Sequence, residues 1–249
     1  MAKTVNAYNI NERMQIAENL AAIRSRVTLA AQKSGRNPAD VKLLAVSKTF
    51  PAQAVAEAYD AGGQRCFGEN RVQELEAKVP ALPSDIEWHL IGHLQANKVR
   101  NALKFSSFIH AVDSLALLQR IERLAAEMDA HPRLLLEVNV SGEESKFGLR
   151  PAEVAPLLEW LPADAPAPVV GLMTMAPFGV PEATLHEVFG GLRNLRDQLQ
   201  SQTGHDLPEL SMGMSGDFEA AIAEGATIVR VGSAIFGTRD YTALANTTT

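Results

Sequence analysis

Lys48 ends the apolar run Ala45-Val46-Ser47-Lys48-Thr49. An ammonium partly withdrawn from water has a lowered pKa. The neutral amine can attack an aldehyde to form a Schiff base. Position alone leaves a second reading open, a lysine that snorkels or pairs with a carboxylate at a strand end. Near the other end of the chain stands Val231-Gly232-Ser233-Ala234-Ile235-Phe236-Gly237. Gly232 allows an oxyanion close to the backbone, and the N–H groups of Gly232 and Ser233 with the Ser233 hydroxyl suit a phosphate. Ser211, ending the preceding apolar segment, offers another hydroxyl. The bland alternative for Ser233 is a helix N-cap.

Arg230 lies two residues before Gly232, inside an apolar segment. Alternation places it on the face of Gly232, with Val229 and Val231 on the other. It either pairs with an interior carboxylate or donates a hydrogen bond to a ligand ring nitrogen, because a guanidinium only donates. Asn70, in Phe67-Gly68-Glu69-Asn70-Arg71-Val72-Gln73, fits a helix N-cap with Gln73 completing a capping box. Its functional alternative is a polar group over a ligand ring. His89 and His93 have the spacing of a helical metal pair, but the strand-like Trp88-His89-Leu90-Ile91 and Gly92 argue against a helix. No further ligand completes a tetrahedral set, so no metal site is expected. Trp88 and His89 face opposite ways, so at most one points inward. Lys146 is a second candidate amine, placed in a loop where a solvated lysine is the default.

The elements that must position these residues follow from periodicity. Ile16, Leu20, Ile23, Val27 and Ala31 recur at helical spacing, and residues 1–35 read as an N-terminal helix stopped by Gly35 and Pro38. Short apolar segments at 41–47, 65–67, 86–91, 107–112, 133–140, 168–172, 208–211 and 227–231 read as eight strands. Helical patterns at 52–61, 70–78, 95–104, 114–129, 151–160, 182–201 and 216–224 fill the intervals. Strands alternating with helices imply parallel pairing. Eight such units favour one closed (β/α)8 TIM barrel over 41–240, within a single domain covering 1–249 and followed by a frayed tail at 242–249. An open doubly wound sheet is the alternative, because the second and seventh strands are weakly marked. In a parallel barrel chemistry sits at the carboxyl ends of the strands, where Lys48, Asn70, Ser211, Gly232 and Ser233 all fall.

Composition narrows the class. The 249 residues are 46% hydrophobic and 21% charged, an ordinary globular balance that excludes a disordered chain. A net charge of −6 argues against a nucleic-acid coat or a polybasic membrane binder. The single cysteine, Cys66, excludes an intrachain disulfide framework. The start lacks the apolar core of a signal peptide, and no apolar run approaches the ~18 residues of a membrane span. A cytoplasmic protein is expected.

Taken in order, these segments carry a resemblance. Ala45–Thr49, Phe67–Glu74, Trp88-His89-Leu90-Ile91-Gly92-His93-Leu94-Gln95-Ala96-Asn97-Lys98, Ser145-Lys146-Phe147-Gly148, Gly171-Leu172-Met173-Thr174-Met175, Leu210-Ser211-Met212-Gly213-Met214-Ser215 and Val229–Gly237 run through nearly the whole chain. Together they closely resemble the pyridoxal phosphate homeostasis protein family (YggS/PROSC type). The resemblance implies an α/β barrel like the alanine racemase N-terminal domain, the fold type III of pyridoxal 5′-phosphate (PLP) proteins, with an extra N-terminal helix. It implies that Lys48 holds PLP, the vitamin B6 cofactor, as an internal aldimine. The phosphate then lies against Ser211, Gly232 and Ser233, Arg230 faces the pyridine nitrogen, and Asn70 lies near the ring. His93 receives no role.

Arginine cannot give a proton up readily, so it favours an unprotonated ring nitrogen and a weak electron sink. Racemisation also needs a second acid–base group, which alanine racemase takes from a tyrosine of a second, β-rich domain. With the barrel filling the chain, and Tyr8, Tyr59 and Tyr241 away from the strand mouths, binding without efficient turnover is expected. The role implied is PLP homeostasis by a monomer that serves PLP-dependent apo-enzymes. A PLP-dependent racemase or decarboxylase is the alternative, and a cofactor-free aldolase-type barrel is a more distant one.

Overall fold

The computed structural model describes residues 10–143 and 147–237, with side chains of the first helix from residue 15. The proposed tail at 242–249, Tyr8, Tyr241 and Lys146 lie outside the described residues. Helix α1 spans Ile10–Lys33. Eight βα units follow: β1 Lys42–Val46, α2 Ala52–Gly62, β2 Cys66–Glu69, α3 Val72–Lys78, β3 Glu87–Leu90, α4 Val99–Phe105, β4 Phe108–Val112, α5 Leu115–Met128, β5 Arg133–Glu137, α6 Pro151–Trp160, β6 Val169–Met173, α7 Glu182–Thr203, β7 Glu209–Ser211, α8 Phe218–Ala223, β8 Ile228–Val231 and α9 Ser233–Phe236.

Every strand pairs in parallel with its successor, and β1 pairs with β8 in the register Lys42↔Ile228 to Ala45↔Val231. The sheet is therefore a closed barrel, which removes the open-sheet alternative. Strands β2 and β7 are four and three residues long, which explains their weak sequence signal. Strand β5 stops at Glu137, short of the 140 expected, because Val138 leaves the ladder for an isolated bridge with Leu149.

Alternation divides the strand residues between two layers. Ala45, Phe67, Trp88, Leu134, Leu136, Val229 and Val231 face the helices. Leu44, Ala111, Leu135, Met173 and Ile228 fill the barrel. Helix α1 packs Leu20, Ile23, Val27 and Ala31, all buried, beside α2, α8 and α9. It covers the seam where β1 meets β8. A Cβ on Gly62 would lie 2.6 Å from Leu20 Cδ1, so glycine lets α2 approach α1. Asn19 donates to the Ile235 carbonyl at 2.9 Å, and Arg36 to those of Ile222 and Ala226. Among the described residues, no helix is long and apolar enough to cross a membrane.

Candidate functional site

A cavity of about 490 Å³ opens at the carboxyl ends of the strands. Lys48, Asn70, Arg230, Gly232 and Ser233 line it, together with Val46, Ile91, Met175, Leu185 and the loop Met214–Asp217. Its size and mix of apolar wall with few polar groups are those of a small-molecule site. Five of the six residues singled out by spacing thus meet in one place, brought there by β1, β2 and β8.

Lys48 is half-buried two residues beyond Val46, and its backbone is clamped from behind by α3. Lys78 Nζ donates to the Ser47 carbonyl at 2.9 Å and to Glu69 Oε1 at 2.6 Å. The Ser47 hydroxyl donates to the same carboxylate oxygen at 2.7 Å. On the other side of Lys48, Thr49 takes a left-handed φ of 72°, which a β-branched residue rarely adopts. Its N–H is held by Glu74 Oε1 at 2.6 Å. Such conformations persist only where their surroundings over-determine them. Glu69 is fully buried and Oε2 has no hydrogen-bond partner. Burial pushes the Glu69 carboxyl up to about 7, against the pull of Lys78 and Ser47. Sequence reading missed Ser47, Glu69, Glu74 and Lys78 because they face the helix layer.

Two cap assignments need correction. The N-cap of α3 is Arg71, and Asn70 makes no capping box with Gln73. Asn70 instead packs against Gly92, where a Cβ would come 2.3 Å from the Asn70 carbonyl and 2.8 Å from its side chain. The Gly92 position therefore leaves room for Asn70. Gly92→Ala is expected to displace Asn70 from the cavity wall, which a crystal structure of the variant would reveal. Likewise Ser233 is the first residue of α9, and Gly232 is its cap. The Ser233 hydroxyl faces that of Ser215 at 3.3 Å. Ser215 was not singled out from the sequence. A Cβ on Gly232 would meet the Val46 carbonyl at 3.0 Å, so glycine keeps β8 close to β1 here.

Arg230 faces inward, registered against Leu44 and deeper than Lys48. Its Nη1 donates to Ser211 Oγ at 2.7 Å and its Nη2 to the Thr174 carbonyl at 2.9 Å. Burial lowers the guanidinium to about 10, so it stays a cation at neutral pH. Among the described residues only two of its five N–H donors are engaged. Ser211 is the sixth residue, and it stands beside Arg230. It is fully buried behind Arg230 and does not line the cavity.

His89 points into the barrel and Trp88 outward, fully resolving that alternation. At the opposite end of the barrel, the ligand atoms of His89, Cys66 and Glu87 all lie within 4.8 Å of one another, a grouping the sequence did not suggest. Glu87 is already bonded to Lys42 at 2.8 Å and Arg133 at 3.0 Å, which repels a cation there. Tyr59 is away from the mouth, its hydroxyl donating to Asp85 at 2.7 Å.

Glu137 ends β5 and is buried in the upper barrel. Burial pushes its carboxyl up to about 7, assisted by Asp113 and opposed by Arg230. Burial does the same to Glu122 on α5. Folded-state values above the unfolded value mean that the native chain binds protons first. Their stabilising effect is complete below the ordinary carboxyl range and fades as pH rises through about 7. These two carboxyls are accordingly expected to give the melting temperature a component that falls between pH 5.5 and pH 8, against the opposite slope of the buried His89 and His110. Glu122→Gln should reduce that falling component, as thermal scans across the range would show.

Residues 19–240 match the family model of the alanine racemase N-terminal domain. The chain is 42% identical over 229 residues to the pyridoxal phosphate homeostasis protein of Aquifex aeolicus, covering 92% of this chain and 100% of that one. It is 44% identical over 234 residues to the protein of that name from Pseudomonas aeruginosa, covering 93% and 99%. Among solved structures it is similar to PipY of Synechococcus elongatus with PLP bound. The TM-score is 0.78 at 44% identity, over 90% of this chain and 100% of PipY.

Proposed function

The chain belongs to the pyridoxal phosphate homeostasis protein family, and on that premise we propose that it binds PLP in the barrel-mouth cavity as a carrier. The observation that carries this reading is the meeting of Lys48, Asn70, Arg230, Gly232 and Ser233 around one cavity of about 490 Å³. The residues fit the cofactor. Lys48 supplies the amine that anchors an aldehyde. Arg230 supplies a permanent donor for a ring nitrogen. The Ser233 and Ser215 hydroxyls and the Gly232 backbone form a polar end suited to phosphate, and Val46, Ile91 and Leu185 give the ring apolar walls.

When bound, PLP supplies an electron sink for amino-acid chemistry. This chain's residues restrain that chemistry. Arg230 donates only, and so holds the ring nitrogen unprotonated. Ser211 supports Arg230 from behind. The protein then holds a reactive aldehyde in a protected form and exchanges it with PLP-dependent apo-enzymes, as a cytoplasmic monomer. Support for a carrier rather than a racemase comes from relatives that this chain spans end to end, which are named for homeostasis.

The test is a titration of the purified protein with PLP, followed by visible absorption, then incubation with alanine in heavy water. Saturable binding at one site, with no exchange of the α-proton at enzymatic rates, is expected. Exchange at such rates would assign the racemase reading instead. No saturable binding would overturn both.

A further inference from the structure

A file of buried polar groups crosses the barrel interior from the cavity to its far end. Arg230 Nη1 meets Ser211 Oγ at 2.7 Å, and Ser211 Oγ meets His110 Nδ1 at 3.0 Å. His110 Nε2 meets His89 Nδ1 at 2.8 Å, and His89 Nε2 meets Glu87 Oε1 at 2.9 Å. Ser211, His89 and His110 are fully buried and Arg230 nearly so.

The chemistry of the two ends fixes the direction of every bond. A guanidinium only donates, and an ionised carboxylate only accepts. Glu87 is paired with two cations, Lys42 Nζ at 2.8 Å and Arg133 Nη2 at 3.0 Å, so it is ionised. His89 must therefore offer Nε2–H to Glu87. Burial disfavours a charged imidazole at both histidines, so His89 Nδ1 is an acceptor. His110 then donates from Nε2 and accepts at Nδ1, from the Ser211 hydroxyl. Ser211 keeps a lone pair for Arg230. Each neutral member gives one proton and takes one. The reverse arrangement would set the His89 Nε2 lone pair against a carboxylate 2.9 Å away. Aligned chains of this kind strengthen one another in a low dielectric.

We infer that His89 and His110 are positioning residues for the cavity, forming with Ser211 a one-directional hydrogen-bond relay from Arg230 to Glu87 that fixes the guanidinium in place. This rests on the reading of the cavity as a PLP site only for its consequence, not for its geometry.

Two measurements test it, and they fail separately. The first is the 15N spectrum of histidine side chains in the full chain at pH 7.5, assigned with His89→Gln and His110→Gln. Both imidazoles are expected neutral and protonated at Nε2, with or without PLP. A proton on His110 Nδ1, or a doubly protonated His89, overturns the relay even if PLP binds as proposed. The second is PLP release from the loaded protein. His110→Phe is expected to release it about tenfold faster, the effect of one broken buried hydrogen bond, with a shifted absorption band. His110→Gln keeps one donor and one acceptor and is expected to stay within about threefold of the parent. Ser211→Ala breaks the same link and replaces His110→Phe if that variant does not fold. An unchanged release rate and band in the broken variants overturns the positioning role. If the parent binds no PLP, the functional reading falls while the tautomers still decide the relay.

Discussion

Lys48→Ala is expected to release PLP at least about hundredfold faster than the parent, equivalent to ~2.8 kcal/mol at 1.4 kcal/mol per decade. On the proposed reading the parent retains its ligand through a covalent anchor at Nζ as well as through contacts, and the variant keeps only the contacts. Arg230, Gly232, Ser233 and Ser215 are untouched by the change, so weak and rapidly reversible binding should survive. The barrel should survive too, because Lys48 lies beyond the end of β1 and is only half-buried. Release into an excess of an apo-enzyme acceptor, followed by absorption, measures the rate. Melting of the unloaded variant checks the fold. Retention like that of the parent would move the anchor to another lysine, with Lys146 the next to replace.

Lys78→Met is expected to cost more in stability than any change at the cavity wall. Lys78 and Glu69 form an ion pair at 2.6 Å with side-chain exposures of 7% and 0%. Removing Lys78 leaves the buried Glu69 either ionised without a partner or forced to take up a proton, at a cost of ~3–5 kcal/mol for breaking such a pair. For a chain of this size that lowers the melting temperature by roughly 6–20 °C, at ~2–4 °C per kcal/mol. The double variant Lys78→Met with Glu69→Leu removes both charges and is expected to recover much of the loss. The loss also reaches the site. Lys78 holds the Ser47 carbonyl, immediately before Lys48. Faster PLP release than in the parent, persisting in the double variant after stability returns, would separate this positioning from stability. Melting curves for the two variants, with release rates measured well below the transition, provide the comparison.

Much of the barrel was legible because burial on two faces writes short apolar runs, and amphipathic helices write a 3.6-residue period. The first helix is the clearest case, with Leu20, Ile23, Val27 and Ala31 all buried where spacing placed them. Strand ends were harder. Strand β5 stops early because its last residues fold into a loop bridge, a tertiary event with no local signal. At the site, Arg230 and Gly232 could be placed by alternation alone. Asn70 and Ser233 also admitted a capping reading, because local rules do not register the tertiary contacts with Gly92 and Ser215. Ser211 was placed at a strand end, but its bond to Arg230 was not foreseen. The clamp behind Lys48 joins β1, β2 and α3, and the histidine file joins strands distant in sequence. His110 and Ser211, 101 residues apart, meet only when the barrel closes.

The most direct test is borohydride reduction of the protein loaded with PLP, followed by proteolysis and mass spectrometry of the peptides. The expected result is one pyridoxyl-phosphate adduct per chain, on the peptide that carries Lys48. An adduct confined to other lysines, or none after saturation with PLP, would contradict Lys48 as the anchor of a PLP carrier.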